Sequence, residues 1–195
     1  MAIMKEPTAV LIVSSSEKAR DYFRGLLPEN QFSPVEYCQT AGEAKRKMID
    51  RAFDIVMINT PLKDDFGIEF AIDLSQKEQC GVVLFVRAEL FGQVSYKVED
   101  YGILTLQRPN SAAAIYGAVK LLVATRNRLK SLQNKATSLE KKMEEIRYVN
   151  RAKLLLMEKL KMTEQEAHRY IEKTAMDLCV KRAQVAKNII NTYES

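Results

Sequence analysis

The side chains with the most to offer chemically lie toward the carboxyl end. Arg169, Lys173 and Met176 follow one another at i, i+4 and i+7, a spacing that sets them on one face of a helix. Lys153, Lys181 and Arg182 add positive charge nearby. Ammonium and guanidinium groups gathered in this way neutralise phosphates, and binding that rests on them weakens with salt. Met176 offers an apolar contact of the kind an unstacked base accepts. His168 is the single histidine; it has no catalytic partner in the sequence and reads as a surface residue beside Arg169. Cys38, Cys80 and Cys179 are widely spaced and form no CxxC pair. They read as small buried residues in a reducing cytoplasm, not as a disulfide framework or a zinc site. The seven glycines make no GxGxxG loop. With no nucleophile–base set and no metal-ligand cluster, neither an enzyme nor a bound metal or cofactor is expected.

The charge is divided along the chain. Residues 1–117 hold 13 Lys and Arg against 16 Asp and Glu, a balance of −3, whereas residues 118–195 hold 17 against 9, a balance of +8. The positive third is where a polyanion would bind. No apolar run is long enough to cross a membrane, and the opening residues MAIMKEPTAVLIV lead straight into a strand pattern with no signal-peptide layout. A cytoplasmic protein with no membrane partner is expected.

The elements that must carry these residues are legible from periodicity. Thr8–Ser15, Phe53–Pro61 and Gly81–Val86 are continuous apolar runs of strand length, as in strands buried on both faces of a parallel sheet. Pro34–Gln39 and Ile103–Gln107 are two further strand candidates. Helical segments at Glu17–Leu27, Ala41–Arg51, Ile68–Ser75 and Leu90–Glu99 alternate with them. Five strands alternating with helices predict a doubly wound α/β domain with a parallel sheet over residues 1–117, whose sites lie at the carboxyl ends of the strands.

From Ser111 onward the pattern is helical, and no Pro or Gly occurs between Ala118 and Ser195. A heptad follows, with Leu122, Leu129, Ala136, Met143 and Asn150 at a, and Thr125, Leu132, Leu139 and Ile146 at d. This 3,4 spacing predicts a left-handed coiled coil over residues 118–150 that pairs two chains through Leu122, Leu129, Leu132, Leu139, Met143 and Ile146. In a parallel dimer Lys135 meets Glu140, while Lys142 and Arg147 repel. A single helix packed on its own domain is the other reading of the same stripe.

Residues 151–195 predict a three-helix unit. Thr163-Glu164-Gln165-Glu166 is a capping box that opens a helix over Glu164–Cys179. Ala167, Tyr170, Ile171, Thr174 and Leu178 form its expected apolar face. Ala183–Asn191 gives a third helix with Val185, Ala186, Ile189 and Ile190 apolar. Ala152, Leu155, Leu156 and Leu160 close the core from the end of the long helix.

Two resemblances follow from these residues. The first half resembles a response-regulator receiver domain over about residues 6–122, with its acidic pocket missing. Where receivers carry an acidic pair after the first strand, this chain has Ser14, Ser15 and Ser16. The phosphoacceptor position is Asn59. The hydroxyl position falls on Val86 or Arg87, followed by Ala88, and Lys-Pro becomes Arg108-Pro109. The resemblance implies a docking and dimerisation domain whose input is not aspartyl phosphorylation. Asp64 and Asp65, in the loop after the third strand, read as a solvated acidic loop.

The stretch Arg151–Ile190 resembles the ANTAR domain. The matching residues are Ala152-Lys153, Leu156-Met157, Thr163, Ala167, Ala175-Met176-Asp177, Lys181-Arg182 and Val185-Ala186. The family's usual Gly after the first helix is replaced by Lys161-Met162. The resemblance implies a dimeric regulator that binds hairpins in nascent mRNA leaders and suppresses transcription termination. It also implies a sensor or sequestering protein partner. Lys153, Arg169, Lys173, Met176, Lys181 and Arg182 are the expected RNA contacts. Two alternatives remain at this stage: a DNA-binding two-component regulator, which would need a base-reading helix in the major groove, and a coiled-coil scaffold for protein partners.

Overall fold

The computed structural model describes residues 6–77 and 80–194. Two compact units result, residues 1–129 and 130–195.

In the first unit the apolar runs become five parallel strands: β1 (Thr8–Ser14), β2 (Phe32–Cys38), β3 (Ile55–Asn59), β4 (Gly81–Arg87) and β5 (Leu104–Arg108). Their order is β2-β1-β3-β4-β5. Helices α1 (Glu17–Gly25), α2 (Ala41–Asp50), α3 (Ile68–Lys77) and α4 (Phe91–Val98) are the crossovers, and the long α5 (Ala112–Leu160) follows β5. Alternation along each strand sends side chains to opposite faces. Leu11, Val13, Val56, Ile58, Val82, Leu84 and Val86 share one core with Ala44 of α2, Phe70 and Leu74 of α3, and Val94 and Val98 of α4. Val10, Ile12, Ile55, Met57, Val83 and Phe85 share the other with Phe23 of α1 and with Ile115, Val119 and Val123 of α5. Each such side chain contributes about 1.5–3 kcal/mol when fully buried, which is why the middles of the central strands are apolar.

The root of α5 belongs to this unit. Val119 and Val123 complete the second core, so the compact unit runs past the boundary expected at residue 118. Leu122, expected in the dimer seam, instead packs partly buried against that core. The cause is visible at Gly81, where a Cβ would stand 2.9 Å from the Ile55 side chain and 3.3 Å from Leu122 Cβ. Absence of a side chain there lets the helix lie directly over the start of β4. Arg126, one turn further on, pairs at 2.6 Å with Asp54, whose second oxygen accepts the Ala9 amide at 2.7 Å.

Beyond this root the helix opens to solvent. Leu129, Leu132, Leu139, Met143 and Ile146 are all exposed, and they keep the predicted heptad spacing. Further along, Ala152 and Leu156 meet Ala167, Ile171 and Ala175 of α6 (Glu164–Asp177) and Val185, Ala186 and Ile189 of α7 (Arg182–Tyr193) in the core of the second unit. Leu155 is also buried, while Leu160 is exposed.

The apolar face of α6 differs from the expected one. Tyr170 and Leu178 are exposed, and Ala175 takes the place beneath. The buried line Ala167–Ile171–Ala175 runs at i, i+4, i+8, with small side chains at both ends, so α6 can approach its neighbours closely. Bulk had suggested Tyr170 and Leu178; proximity selected the alanines.

Candidate nucleic-acid interface

The second unit fixes its basic residues by local rules. Thr163 caps α6: its hydroxyl accepts from the Glu166 amide at 3.3 Å, and Glu166 accepts from the Thr163 amide at 2.8 Å. The Thr163 amide first, and then the Thr163 hydroxyl, which also donates to the Glu166 carboxylate at 2.8 Å, hold that carboxyl below its ordinary range. Before the cap, Lys161 adopts φ 57°, the left-handed region that glycine enters most readily. It occupies the turn where the sequence lacks the expected Gly. After α6, Val180 N–H donates to Ala175 O at 3.0 Å and Cys179 N–H to Met176 O at 3.1 Å. With Cys179 at φ 53°, this is a Schellman turn.

Six residues were expected to contact RNA, and they divide into two groups. Lys153 has a side chain only 16% exposed and pairs with Glu164 at 2.8 Å, tying α5 to the start of α6. The same pairing lowers the Glu164 pKa. Arg182 pairs with Glu172 at 3.4 Å and Glu145 at 3.3 Å, joining α7 to both other helices. These two hold the unit together. Arg169, Lys173 and Lys181 are exposed and form no ion pair among the described residues. Met176 lies on the face of Arg169 and Lys173 and is 76% exposed.

Other groups around this face have partners of their own. His168 pairs with Glu172 at 3.3 Å, in keeping with a surface role. Lys187 lies over the Tyr148 ring, 4.5 Å from its centroid. The sequence reading missed Tyr170, whose ring is half open beside Arg169. The i, i+4, i+8 line Ala167–Ile171–Ala175 was the available signal that this tyrosine turns outward. Cys179, expected to be buried, is exposed, and Cys80 is only partly covered; Cys38 is buried. Burial pushes the Cys38 thiol up to about 12, with nearby Glu43 adding to the effect.

The strand ends of the first unit form the other polar cluster. Asn59 is buried and donates to Ser14 Oγ at 2.9 Å. The Ser14 hydroxyl donates to Ser16 O at 3.2 Å, and the Ser15 hydroxyl to Pro61 O at 3.0 Å. Arg108 reaches over to donate to Thr60 O at 2.6 Å. Among the described residues, the last positions of β1 and β3 are Ser14 and Asn59, with no carboxylate. Asp64 serves elsewhere: it accepts the Ala41 amide at 2.9 Å and the Gly42 amide at 3.0 Å, capping α2 from a distant loop. Those bonds, the Gly42 bond foremost, hold its pKa below the ordinary value. The expected solvated loop is thus partly a helix cap. Among the described residues, no group of three or more His, Cys, Asp or Glu side chains is placed to hold a metal ion, and no helix is long and apolar enough to cross a membrane.

Known proteins resemble both parts of the chain. Residues 137–190 match the ANTAR domain; the match begins within α5, ahead of the start expected at residue 151. Transcriptional regulatory protein PdtaR of Mycobacterium tuberculosis, in strains CDC 1551 / Oshkosh and ATCC 25618 / H37Rv, is 25% identical over 187 residues, covering 95% of this chain and 91% of its own length. Among solved structures, the signal receiver domain of an HD domain-containing protein from Pseudomonas fluorescens Pf-5 superposes with a TM-score of 0.60 at 15% identity, over 67% of this chain and 97% of its own. A CheY-like receiver domain protein from Methanospirillum hungatei JF-1 gives 0.56 at 18%, over 63% of this chain and 98% of its own. The sheet and its helices have the receiver fold.

Proposed function

We propose that this chain, an ANTAR domain behind a domain of receiver fold, is a cytoplasmic transcription antitermination regulator that binds hairpins in nascent mRNA leaders as a homodimer. The observation that carries the reading is the outer face of α6. Among the described residues Arg169 and Lys173 stand there without ion-pair partners, beside a methionine that is 76% exposed. Charges already paired within the molecule have little left to offer a phosphate, whereas these are available to displace counterions from a nucleic acid. An exposed methionine between them suits an unpaired base better than the closed stack of a duplex. Lys181, at the N-cap of α7, adds a third cation with no ion pair among the described residues. Lys153 and Arg182 support this face from within the module.

The exposed heptad of α5 supports pairing of two chains, which brings two modules onto one transcript and raises their effective concentration. The receiver-fold domain acts in regulation through docking, with a sensor or sequestering protein as its partner. Aspartyl phosphorylation is not its input. That chemistry needs a carboxylate nucleophile at the end of β3 and hard oxygen ligands for Mg²⁺. Asn59 and the three serines supply a neutral amide and hydroxyls, engaged with Ser14, with Pro61 O and with the Ala19 amide, so the residues do not fit the ion or the phosphoryl transfer.

The test is binding of full-length protein to a stem-loop RNA and to duplex DNA of the same sequence across a salt series. The expected result is preference for the RNA, with Lys173→Gln reducing the magnitude of the log–log salt slope by about 1. Met176→Ala is expected to weaken binding at every salt concentration without changing the slope. Equal affinity for duplex DNA would favour the groove-reading alternative. Absence of salt-dependent RNA binding in a confirmed dimer would leave the scaffold reading.

A further inference from the structure

The open apolar face of α5 does not end where the heptad does. Within the second unit the heptad passes through Leu132, Leu139, Met143, Ile146 and Asn150, and its next place falls on Lys153. Lys153 is unsuited to a seam, because its side chain is only 16% exposed and is paired with Glu164 of α6. The apolar residue left open is Leu154, one position later and 55% exposed. Its neighbours Leu155 and Leu156 are buried in the module, so Leu154 turns away from the core that holds them.

Spacing joins Leu154 to the seam. Leu132, Met143 and Leu154 stand 11 residues apart, a repeat of three full turns that keeps them on one side of the helix to within about 20°. From Met143 the steps to Ile146, Asn150 and Leu154 are three, four and four. The extra step of four is a stutter, which locally unwinds a left-handed supercoil and lets the two helices run on side by side. A groove of about 550 Å³ flanks this stretch between α5 and α7, with Arg147, Asn150 and Leu154 on one wall and Ile190 on the other. Ile190 is itself only partly buried. Asn150 and Leu154 therefore belong both to the seam and to the groove.

Charge selects the orientation of an occupant. A second copy running parallel sets Lys135 against Glu140, whereas an antiparallel copy sets Lys135 and Lys142 against the same row of cations. In a parallel pair like residues lie opposite one another, and Leu154 meets Leu154. We propose that a second copy of this chain, running parallel, covers Leu154 and the groove beside it, so that pairing continues from the open stretch of α5 into the ANTAR modules. This inference rests on the homodimer reading and extends it. The two modules abut, and their α6 faces are held in a fixed relation instead of hanging from independent arms.

The experiment is oxidative cross-linking of the full-length chain carrying Cys80→Ser, Cys179→Ser and Leu154→Cys, read on a non-reducing gel. Cys38 is buried and stays out of the reaction. A disulfide-linked dimer is expected in high yield from position 154. Little is expected from Lys159→Cys in the same background, an exposed position about 140° further around the helix. Sedimentation equilibrium of Leu154→Ala, which keeps helix propensity, should show the dimer dissociation constant raised about thirtyfold, because two half-open leucines are no longer covered. Its affinity for a single hairpin should be unchanged. A wild-type dimer that fails to cross-link at 154, or links equally at 159, would overturn the proposal. So would an unchanged dissociation constant in Leu154→Ala, with circular dichroism showing the helices intact. Those results leave the seam through Leu132 and Leu139 standing, whereas a wild-type chain that stays monomeric would overturn both readings.

Discussion

Replacing Leu132 and Leu139 together by Lys should convert the chain from dimer to monomer without unfolding it. Leu129, Leu132, Leu139, Met143 and Ile146 are 52–66% exposed in the single chain, so no intramolecular packing depends on them. Covering the open part of one such side chain contributes about 1–1.5 kcal/mol, taken from about 1.5–3 for complete burial. Five from each of two chains give about 10–15 kcal/mol, set against roughly 4–15 for the lost freedom of two molecules. The balance predicts a dimer of modest affinity. The double variant removes four apolar side chains from the paired seam, about 4–6 kcal/mol, and places four ammonium groups along it. At about 1.4 kcal/mol per factor of ten, the dissociation constant should rise at least a thousandfold. Sedimentation equilibrium over a concentration series measures this directly, and circular dichroism checks that helix content is retained. An unchanged association constant would refute the seam, as would a wild-type chain that remains monomeric throughout. Affinity for a two-hairpin RNA should fall with dimerisation; if it is preserved in the monomer, the two modules do not act together.

The other predictions concern the chain by itself. Cys179→Gly should stabilise the second unit by about 1 kcal/mol, because the left-handed conformation at φ 53° is costly for a residue with a Cβ; urea denaturation followed by circular dichroism reads the gain. Thiol labelling with a colourless-to-coloured disulfide reagent should modify Cys179 rapidly in the native state, while Cys38, buried and with its pKa pushed up to about 12, should react only on unfolding. Asp64, whose pKa is lowered by the amides of Gly42 and Ala41, stabilises the start of α2 above the unfolded carboxylate value of about 3.9. That contribution should disappear as pH falls through the lower folded value, and Asp64→Asn should flatten the acid limb of the stability profile. A variant with the same acid limb as wild type would remove Asp64 from the account.

Much of the architecture could be read because it rests on short-range patterns. Continuous apolar runs such as Val10–Val13 and Val82–Val86 can satisfy only a sheet covered on both sides, and Thr163 with Glu166 announces a helix start by reciprocal hydrogen bonds. Proximity in space was harder to read. Asp64 caps a helix that begins more than twenty residues earlier, and no local rule connects the two. Leu122 obeys the heptad, yet a missing side chain at Gly81 draws it onto the sheet. Lys153 and Arg182 look like any exposed basic residue until the fold brings Glu164, Glu145 and Glu172 beside them. The cations without such neighbours, Arg169, Lys173 and Lys181, are distinguished only by subtraction.

The alanines beneath α6 have one more consequence. Contact through Ala167 and Ala175 leaves few rotatable atoms between that helix and its neighbours, so its outer face is a template of nearly fixed pitch. Long side chains in their place would have acted as springs. A ligand proposed to land on Arg169 and Lys173 would meet a helix that does not shift, leaving adjustment to its own shape and to the two flexible basic stems.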